Sequence, residues 1–359
     1  MTNSAPTAAS PARPSRRSSN EPTIADVARE AGVSPMTVSR VVNGGTNVAA
    51  AKRALVEAAI ERIGYVPNQA ARALAGGQQC RIALLHDNPS AGWLSAVLVA
   101  CLDQANRSNA QLLVEHAEDP EAVEQFVAHL LSHRIDGVIL PPPLCDDARL
   151  RAALIAAGIR MVLVASGQPA SDAIAVGIDD RQAAFDMTRH LIALGHRRIG
   201  FIAGNPNQTA SRARLDGFRA ALTGAGIAGP ELIATGDFSF ASGLDAAETL
   251  LSSADRPTAI FASNDDMAAA TIAVANRRGL KVPENLTVCG FDDTAIASMV
   301  WPPLTTVRQP IGEMAASAAS RLVDAIRAGS AGGHGAGAHM TLEHEIVERA
   351  SAGIAPAAS

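Results

Sequence analysis

Residues 23–43 read Thr-Ile-Ala-Asp-Val-Ala-Arg-Glu-Ala-Gly-Val-Ser-Pro-Met-Thr-Val-Ser-Arg-Val-Val-Asn. Thr23 followed by Asp26 has the spacing of a capping box, so a helix can begin there. Ile24, Val27, Ala28 and Ala31 recur at i, i+3, i+4 and i+7 and give that helix one apolar face. Gly32 suits the left-handed position that ends it. Ser34 then caps a second helix, with Pro35 at the first helical position, where a missing N–H costs nothing. This second helix is expected to bury Val38, Val41 and Val42. It leaves Pro35, Met36, Thr37, Ser39, Arg40 and Asn43 facing outward. A short helix offering its first turn, hydroxyls, an amide and one arginine suits the major groove of DNA. A helical hairpin that merely caps a larger domain is the plainer alternative.

The chain after this stretch decides between them. A third amphipathic segment, 50–63, with Ala54, Leu55, Ala58 and Ile63 read as inward, ends at Gly64 and runs into Tyr65-Val66-Pro67-Asn68-Gln69-Ala70-Ala71-Arg72-Ala73-Leu74-Ala75. With Ala31-Gly32-Val33-Ser34, Thr37-Val38-Ser39-Arg40-Val41 and Gly64-Tyr65-Val66-Pro67-Asn68 in ungapped register, the chain resembles the lactose-repressor (LacI/GalR) family of bacterial transcription factors.

Length and charge agree with a composite molecule. The chain has 359 residues, enough for a short domain and a larger two-lobed one. Its formal charge is −5, but residues 1–80 hold nine Arg or Lys against five Asp or Glu, a net of +4 that leaves −9 for the remainder. The positive charge sits with the DNA reader, and the acidic body is repelled from phosphates. Residues 1–22, rich in Ala, Ser and Pro, are read as a disordered arm. No signal-peptide run follows and no apolar stretch has membrane-spanning length, so a soluble cytoplasmic protein is expected. Cys80, Cys101, Cys145 and Cys289 lie far apart without metal or redox spacing and are read as free, small apolar residues.

From Arg81 onward, apolar runs of strand length (82–85, 112–114, 137–140, 161–164, 199–202, 258–261 and 286–288) alternate with Ala-rich segments of helical period. Continuous apolar strands between helices imply parallel sheets covered on both faces. Some twelve elements exceed one compact sheet, so two doubly wound α/β lobes follow, with the ligand at the carboxyl ends of the strands. The resemblance implies the same for 81–350, a two-lobed core like a periplasmic sugar-binding protein. Lobe crossings are placed near 166–172 and 304–310, and Met340–Val347 is read as a final strand. The boundaries are then an arm 1–22, a helix-turn-helix headpiece 23–66, a hinge helix and linker 67–80, the core 81–350 and a tail 351–359.

Within the headpiece Arg40 is the expected base contact, because its fork takes both acceptors of guanine. By resemblance, Pro35 and Met36 stand where operator choice is made. Neither donates a side-chain hydrogen bond, so they read by shape and by contact with a thymine methyl. Thr23, Ser34, Thr37, Ser39 and Asn43 suit contacts that set register on the DNA. Asn68 opens a two-turn hinge helix too short to stand alone. By resemblance it folds when two copies meet on the minor groove, where Leu74 wedges into the central base step. Where the family has Ser and Thr at the start of the third helix, this chain has Ala49 and Lys52, losing a cap and gaining a cation.

Sugar hydroxyls need fixed amides, carboxylates and guanidinium groups, with an aromatic face for the apolar side of the ring. The chain has eleven aromatic residues. By resemblance Arg214 and Phe238 stand at effector positions. Asn264 and Asp292 follow strands, as cleft residues do, and Asp87 or Asn88 and Trp93 are first-lobe candidates. The family's Asp after strand 161–164 is replaced by Ala165-Ser166-Gly167. Gly224-Ala-Gly226-Ile-Ala-Gly229 imitates a dinucleotide fingerprint, but it closes a helix rather than opening one. His334, His339 and His344 lack metal-site spacing.

The expected protein is therefore a repressor-type regulator, a homodimer on a palindromic operator, switched by a mono- or disaccharide, with no cofactor, metal, membrane or catalytic role. The alternative is a cytoplasmic sugar-binding protein without regulatory DNA binding. An enzyme on the same fold lacks a catalytic constellation.

Overall fold

The computed structural model describes residues 22–42, 48–65, 80–117, 122–168, 172–253, 255–329 and 338–356. The chain divides into two compact units, Met1–Gln78 and Gln79–Ser359.

The first unit contains α1 (Ile24–Ala31), α2 (Pro35–Val42) and α3 (Ala50–Ile63). Thr23 and Asp26 form the reciprocal box that starts α1, and Gly32, at φ 64°, ends it. Ser34 Oγ accepts the Thr37 N–H at 3.2 Å to start α2. The core is Val27, Ala28, Val38, Val41, Val56, Ala59 and Tyr65, with Val42 and Ile63 packed at its edge. The inward face of α3 differs from the expected one: Ala54, Leu55 and Ala58 are exposed, whereas Val56, Ala59, Ile60 and Ile63 point to the core. The true stripe repeats at i, i+3, i+4 and i+7 from Val56. The expected stripe took Leu55 for its hydrophobicity and so fell one residue out of phase. Ala49 provides no side-chain cap, so α3 does lack that bond. Arg62 pairs with Glu30 at 2.5 Å to clip α3 to α1.

The second unit has two six-stranded sheets of identical order. Lobe 1 runs β2-β1-β3-β4-β5-β11 and lobe 2 runs β7-β6-β8-β9-β10-β12. The lobe 1 strands are β1 (Arg81–His86), β2 (Gln111–His116), β3 (Gly137–Leu140), β4 (Arg160–Val164), β5 (Ile174–Ile178) and β11 (His339–Leu342). In lobe 2 they are β6 (Ile199–Ala203), β7 (Leu232–Thr235), β8 (Ala259–Ala262), β9 (Thr287–Asp292), β10 (Thr305–Arg308) and β12 (Glu345–Val347). All pairings are parallel except β10 with β12. The interleaved helices are α4 (Ala91–Arg107), α5 (Val123–Ser132), α6 (Ala148–Ala156), α7 (Asp180–Ala193), α8 (Thr209–Gly224), α9 (Phe240–Leu251), α10 (Asp265–Arg277), α11 (Ala295–Met299) and α12 (Ile311–Arg327).

Three lobe crossings are described. The first joins β5 to α7 at 178–180, not at 166–172, because Ile174–Ile178 is a fifth lobe 1 strand. Its small residues, Ala175 and Gly177, hid it from a search for bulky apolar runs. The second joins β10 to α12 within 308–311, where α12 packs on β3, β4 and β5. The third corrects the single final strand: Met340–Val347 is two strands, one in each sheet, joined through 343–344. A strand of that length has to break because its halves pair with different lobes.

Candidate functional site

In the headpiece, α2 turns Val38 and Val41 inward and leaves Pro35, Met36 and Arg40 exposed. Met36 is 65% exposed. Thr37 and Ser39 are half-buried. The hydroxyls of Ser34 and Thr37 lie 2.9 Å apart and bond each other, while Thr23 Oγ1 donates to Asp26 Oδ2 at 2.7 Å. These three side chains therefore hold helix ends, and the Thr23 and Thr37 backbone N–H groups already donate to Asp26 Oδ2 and Ser34 Oγ. Asn43, Asn68 and Leu74 lie outside the described residues.

In the second unit the two lobes face each other across a cleft at the carboxyl ends of their strands. It encloses about 370 Å³ of free space, part of it continuous with solvent. Lobe 1 contributes Asn88, Ser90, Trp93, Pro142 and Ala165. Lobe 2 contributes Gln208, Ala210, Arg214, Phe238, Asp292 and Gln309. Three lining residues hold left-handed backbone without being glycine: Ala165 at φ 54°, Phe238 at 74° and Asp292 at 112°. Such strain persists only where surrounding structure enforces it, and it concentrates at ligand clamps. Phe238 can lie flat on the lobe 2 floor because position 204 is glycine: a Cβ there would stand 2.0 Å from the ring's Cζ.

The lobes are joined at the rim. Asp146, just after β3, accepts the Thr209 backbone N–H at 2.9 Å and the Thr209 hydroxyl at 2.7 Å, capping the start of α8 across the cleft. Gly167 N–H donates to Thr209 Oγ1 at 3.0 Å. On another flank Ser90 Oγ donates to Asp266 Oδ2 at 2.5 Å.

Arg214 is the centre of the polar wall. Its Nε donates to Asp180 Oδ1 at 2.8 Å and its Nη1 to the Ser263 carbonyl at 2.5 Å. The guanidinium carbon sits 3.6 Å from the centroid of the Phe291 ring. Asp292 Oδ1 stands 3.8 Å from Nη1 and accepts from Gln309 Nε2 at 2.6 Å. Burial pushes the Asp292 carboxyl up to about 7, against the pull of Arg214 and Gln309 and with the help of nearby Asp266 and Asp180. Burial likewise raises Asp180, with Arg214 pulling it back. It raises Asp265 further, and the neighbouring Asp292 charge adds to that rise. Gln309 Oε1 and Ser263 Oγ are buried and meet no hydrogen-bonding partner among the described residues. Of the two, Gln309 lines the cleft, so its oxygen is the one placed for an outside partner.

The structure brings Arg214, Asp292, Phe238 and Trp93 to one cleft. Asn264 is not on its surface. Its Oδ1 accepts the Met267 N–H at 3.0 Å, capping α10, and its Nδ2 donates to the Phe238 carbonyl at 2.8 Å. It supports the strained Phe238 from behind. Asp87 points elsewhere, into a cavity within lobe 1 lined also by Glu115, His116, Phe126, His129 and Leu150. Asn88 is the member of that pair that faces the cleft. Gln309, Gln208 and Asp180 were not anticipated. Gln309 directly follows β10, a short Thr-Thr-Val-Arg strand; recognising that strand was the available signal.

Two family models match the chain: "Bacterial regulatory proteins, lacI family" over residues 23–68, and "Periplasmic binding protein-like domain" over 188–352. Catabolite control protein A of Priestia megaterium is 36% identical over 299 residues, covering 82% of this chain and 90% of its own. The solved structure of a CelR–cellobiose complex matches at TM-score 0.70 and 32% identity, covering 92% of this chain and all of that one. A lac repressor dimer bound to operator and the anti-inducer ONPF matches at TM-score 0.72 and 30% identity, covering 93% and 100%. Among the described residues no helix is long and apolar enough to cross a membrane. With its helix-turn-helix headpiece and two-lobed body, the chain belongs to the lacI family of bacterial transcriptional regulators, DNA-binding proteins and not enzymes.

Proposed function

We propose that this regulator is a homodimeric repressor whose grip on a palindromic operator is set by a mono- or disaccharide held between the lobes. The observation that carries the sugar reading is the pairing of two kinds of wall. Arg214, Asp292 and Gln309 offer donors and acceptors to hydroxyls, while Trp93 and Phe238 offer aromatic faces to C–H groups. The cellobiose in the CelR neighbour supports the same class. In the headpiece, exposed Arg40 reads guanine, and Pro35 and Met36 read by shape and by a thymine methyl. Thr23, Ser34, Thr37, Ser39 and Asn43 set register on phosphates. Asn68 opens the hinge helix and Leu74 wedges the minor groove. One headpiece covers a half-site, so two are needed for useful specificity. The sugar acts by favouring one lobe arrangement over the other.

The test is a gel shift of the full chain on its own upstream DNA at low salt, with and without neutral sugars. A shift altered by at least one sugar is expected; no shift under any condition refutes the proposal. Leu74→Ala should weaken operator binding sharply while sparing sugar binding.

A further inference from the structure

An arginine meets a carboxylate best through two parallel N–H bonds, either side-on through Nε and Nη2 or end-on through both Nη nitrogens. In this cleft neither edge of Arg214 is open. Asp180 occupies Nε, and the Ser263 carbonyl, with Asp292 beyond it, occupies Nη1. Phe291 covers one face. Nη2 alone meets no protein group among the described residues. It supplies donors from a single nitrogen, which suits a hydroxyl and not a carboxylate fork.

Asp180 is also placed so that it cannot drift from Arg214. It is the first residue of α7, directly after the chain enters lobe 2. Helices α7 and α8 touch backbone to backbone: a Cβ on Gly217 would lie 2.1 Å from the Arg181 carbonyl oxygen. Both members of the pair are buried, with side chains 2% and 6% exposed. The charges around Asp180 beyond Arg214 are Asp179, Asp146 and Asp292, all negative. Arg214 is the one cationic residue among the described lining residues.

We propose that Asp180 is a positioning and specificity-determining residue, which occupies the side-on edge of Arg214 and so makes the cleft select a neutral, hydroxyl-bearing ligand over the carboxylate form of the same molecule. The proposal rests on the cleft being the ligand site. Asp180 itself does not touch the ligand; it acts through the one nitrogen it leaves open.

The first arm of the test uses no sugar. In full-length Asp180→Ala, formate, the smallest carboxylate, can take the place beside Nε. Melting in sodium formate is compared with melting in sodium chloride of equal ionic strength. Formate should raise the melting temperature of the variant by at least ~2 °C and leave the wild type unchanged. Equal melting in both salts overturns the positioning role.

The second arm uses Asp180→Ser, which draws the side chain back from Nε and also serves if the alanine variant does not fold. It is titrated calorimetrically with D-glucose and D-glucuronate and with D-galactose and D-galacturonate, beside Asp216→Asn, which removes an exposed carboxylate of α8 that does not line the cleft. The wild type should favour the neutral member of a pair. Asp180→Ser should lose at least ~10-fold of that preference, and Asp216→Asn should keep it. An unchanged ratio in Asp180→Ser, or an equal loss in Asp216→Asn, overturns the proposal. A wild type that binds none of the four sugars counts against the sugar reading instead, and the formate arm then decides the role of Asp180.

Discussion

The two lobes share one strand order and build unlike walls. Lobe 1 faces the cleft with an amide, a hydroxyl, an indole, a proline ring and a methyl: Asn88, Ser90, Trp93, Pro142 and Ala165. Lobe 2 faces it with a charged network, Arg214, Asp292 and Gln309, backed by Asp180 and by Asp265. The same scaffold thus serves as a neutral cover on one side and as a preorganised polar site on the other. Lobe 2 can hold its polar groups in place before any ligand arrives, because Arg214 is fixed within lobe 2. Lobe 1 adds enclosure and the rim contacts that close the cleft. Changes in lobe 2 should therefore act on binding and stability together, and changes in lobe 1 mainly on closure.

The largest effect is expected from Arg214→Ala. It leaves Asp180 and Asp292 buried without their counter-charge, and breaking a buried pair from one side costs about 3–5 kcal/mol. Urea unfolding of the full chain should show a loss of that size in the transition of the two-lobed body, and the operator should no longer respond to sugar. A loss below about 1 kcal/mol would mean that the network is not the keystone of lobe 2.

The pH dependence should follow the same network. The Asp292 carboxyl sits near 7 in the folded protein against an ordinary value of 3.8. Between those values the folded state holds a proton that the unfolded state has released. Stability from this group therefore falls as pH rises from about 4 to about 7 and then levels off. Asp265 pushes in the same direction. Buried His196, whose imidazole is held below its usual range by burial, acts oppositely: its contribution is lost as pH falls through 6.5. Wild-type melting should thus rise on going from pH 7 to pH 6, and Asp292→Asn should flatten that rise. A profile unchanged by Asp292→Asn would show that lobe 2 does not store the unfavourable charge.

How much of this was legible in the sequence depended on how local the cause was. The headpiece was read almost whole, because Thr23, Asp26, Gly32, Ser34 and Pro35 fix helix ends through neighbours three or four residues away. Even so, Leu55 drew the α3 stripe out of phase. Within the core, bulky runs such as Ile82–Leu85 announced their strands. Ile174–Ile178 did not, because alanine and glycine alternate with its branched residues, and the first crossing was misplaced as a result. Arg214 and Phe238 were identified through resemblance, Asp292 by its place at the end of a strand, and Trp93 as a scarce aromatic residue of the first lobe. The partners of Arg214 were not, since Asp180, Ser263 and Phe291 are 34, 49 and 77 residues away along the chain and meet only in the fold. Asn264 shows the converse: a polar residue at a strand end can be consumed by capping and support.

The rim contacts separate closure from binding. Thr209→Val removes the hydroxyl that bonds Asp146 and Gly167 but leaves the Thr209 N–H bond to Asp146 in place. Each lost bond is worth about 1 kcal/mol. Small-angle scattering of the sugar-free chain should report a more open body, while urea stability falls far less than in Arg214→Ala. A variant as unstable as Arg214→Ala would erase the distinction between cover and site.

The smallest effect is the sharpest test of the neutral cover. Asp87 and Asn88 are adjacent at the end of β1, yet Asn88 lines the cleft and Asp87 lines the separate lobe 1 cavity, 3.8 Å from His116. Asn88 is held by the Pro142 carbonyl at 3.2 Å and the Ser90 N–H at 2.8 Å, which sets its amide against the cleft. Losing such an amide contact costs about 1 kcal/mol, so Asn88→Ala should weaken sugar binding by roughly fivefold. Asp87→Asn removes a charge one residue away but outside the cleft, and about half its side chain meets solvent that screens it. It should change sugar affinity by less than about twofold. If Asp87→Asn matched or exceeded Asn88→Ala, charge would reach the ligand from lobe 1 as well, and the division between the two walls would have to be abandoned.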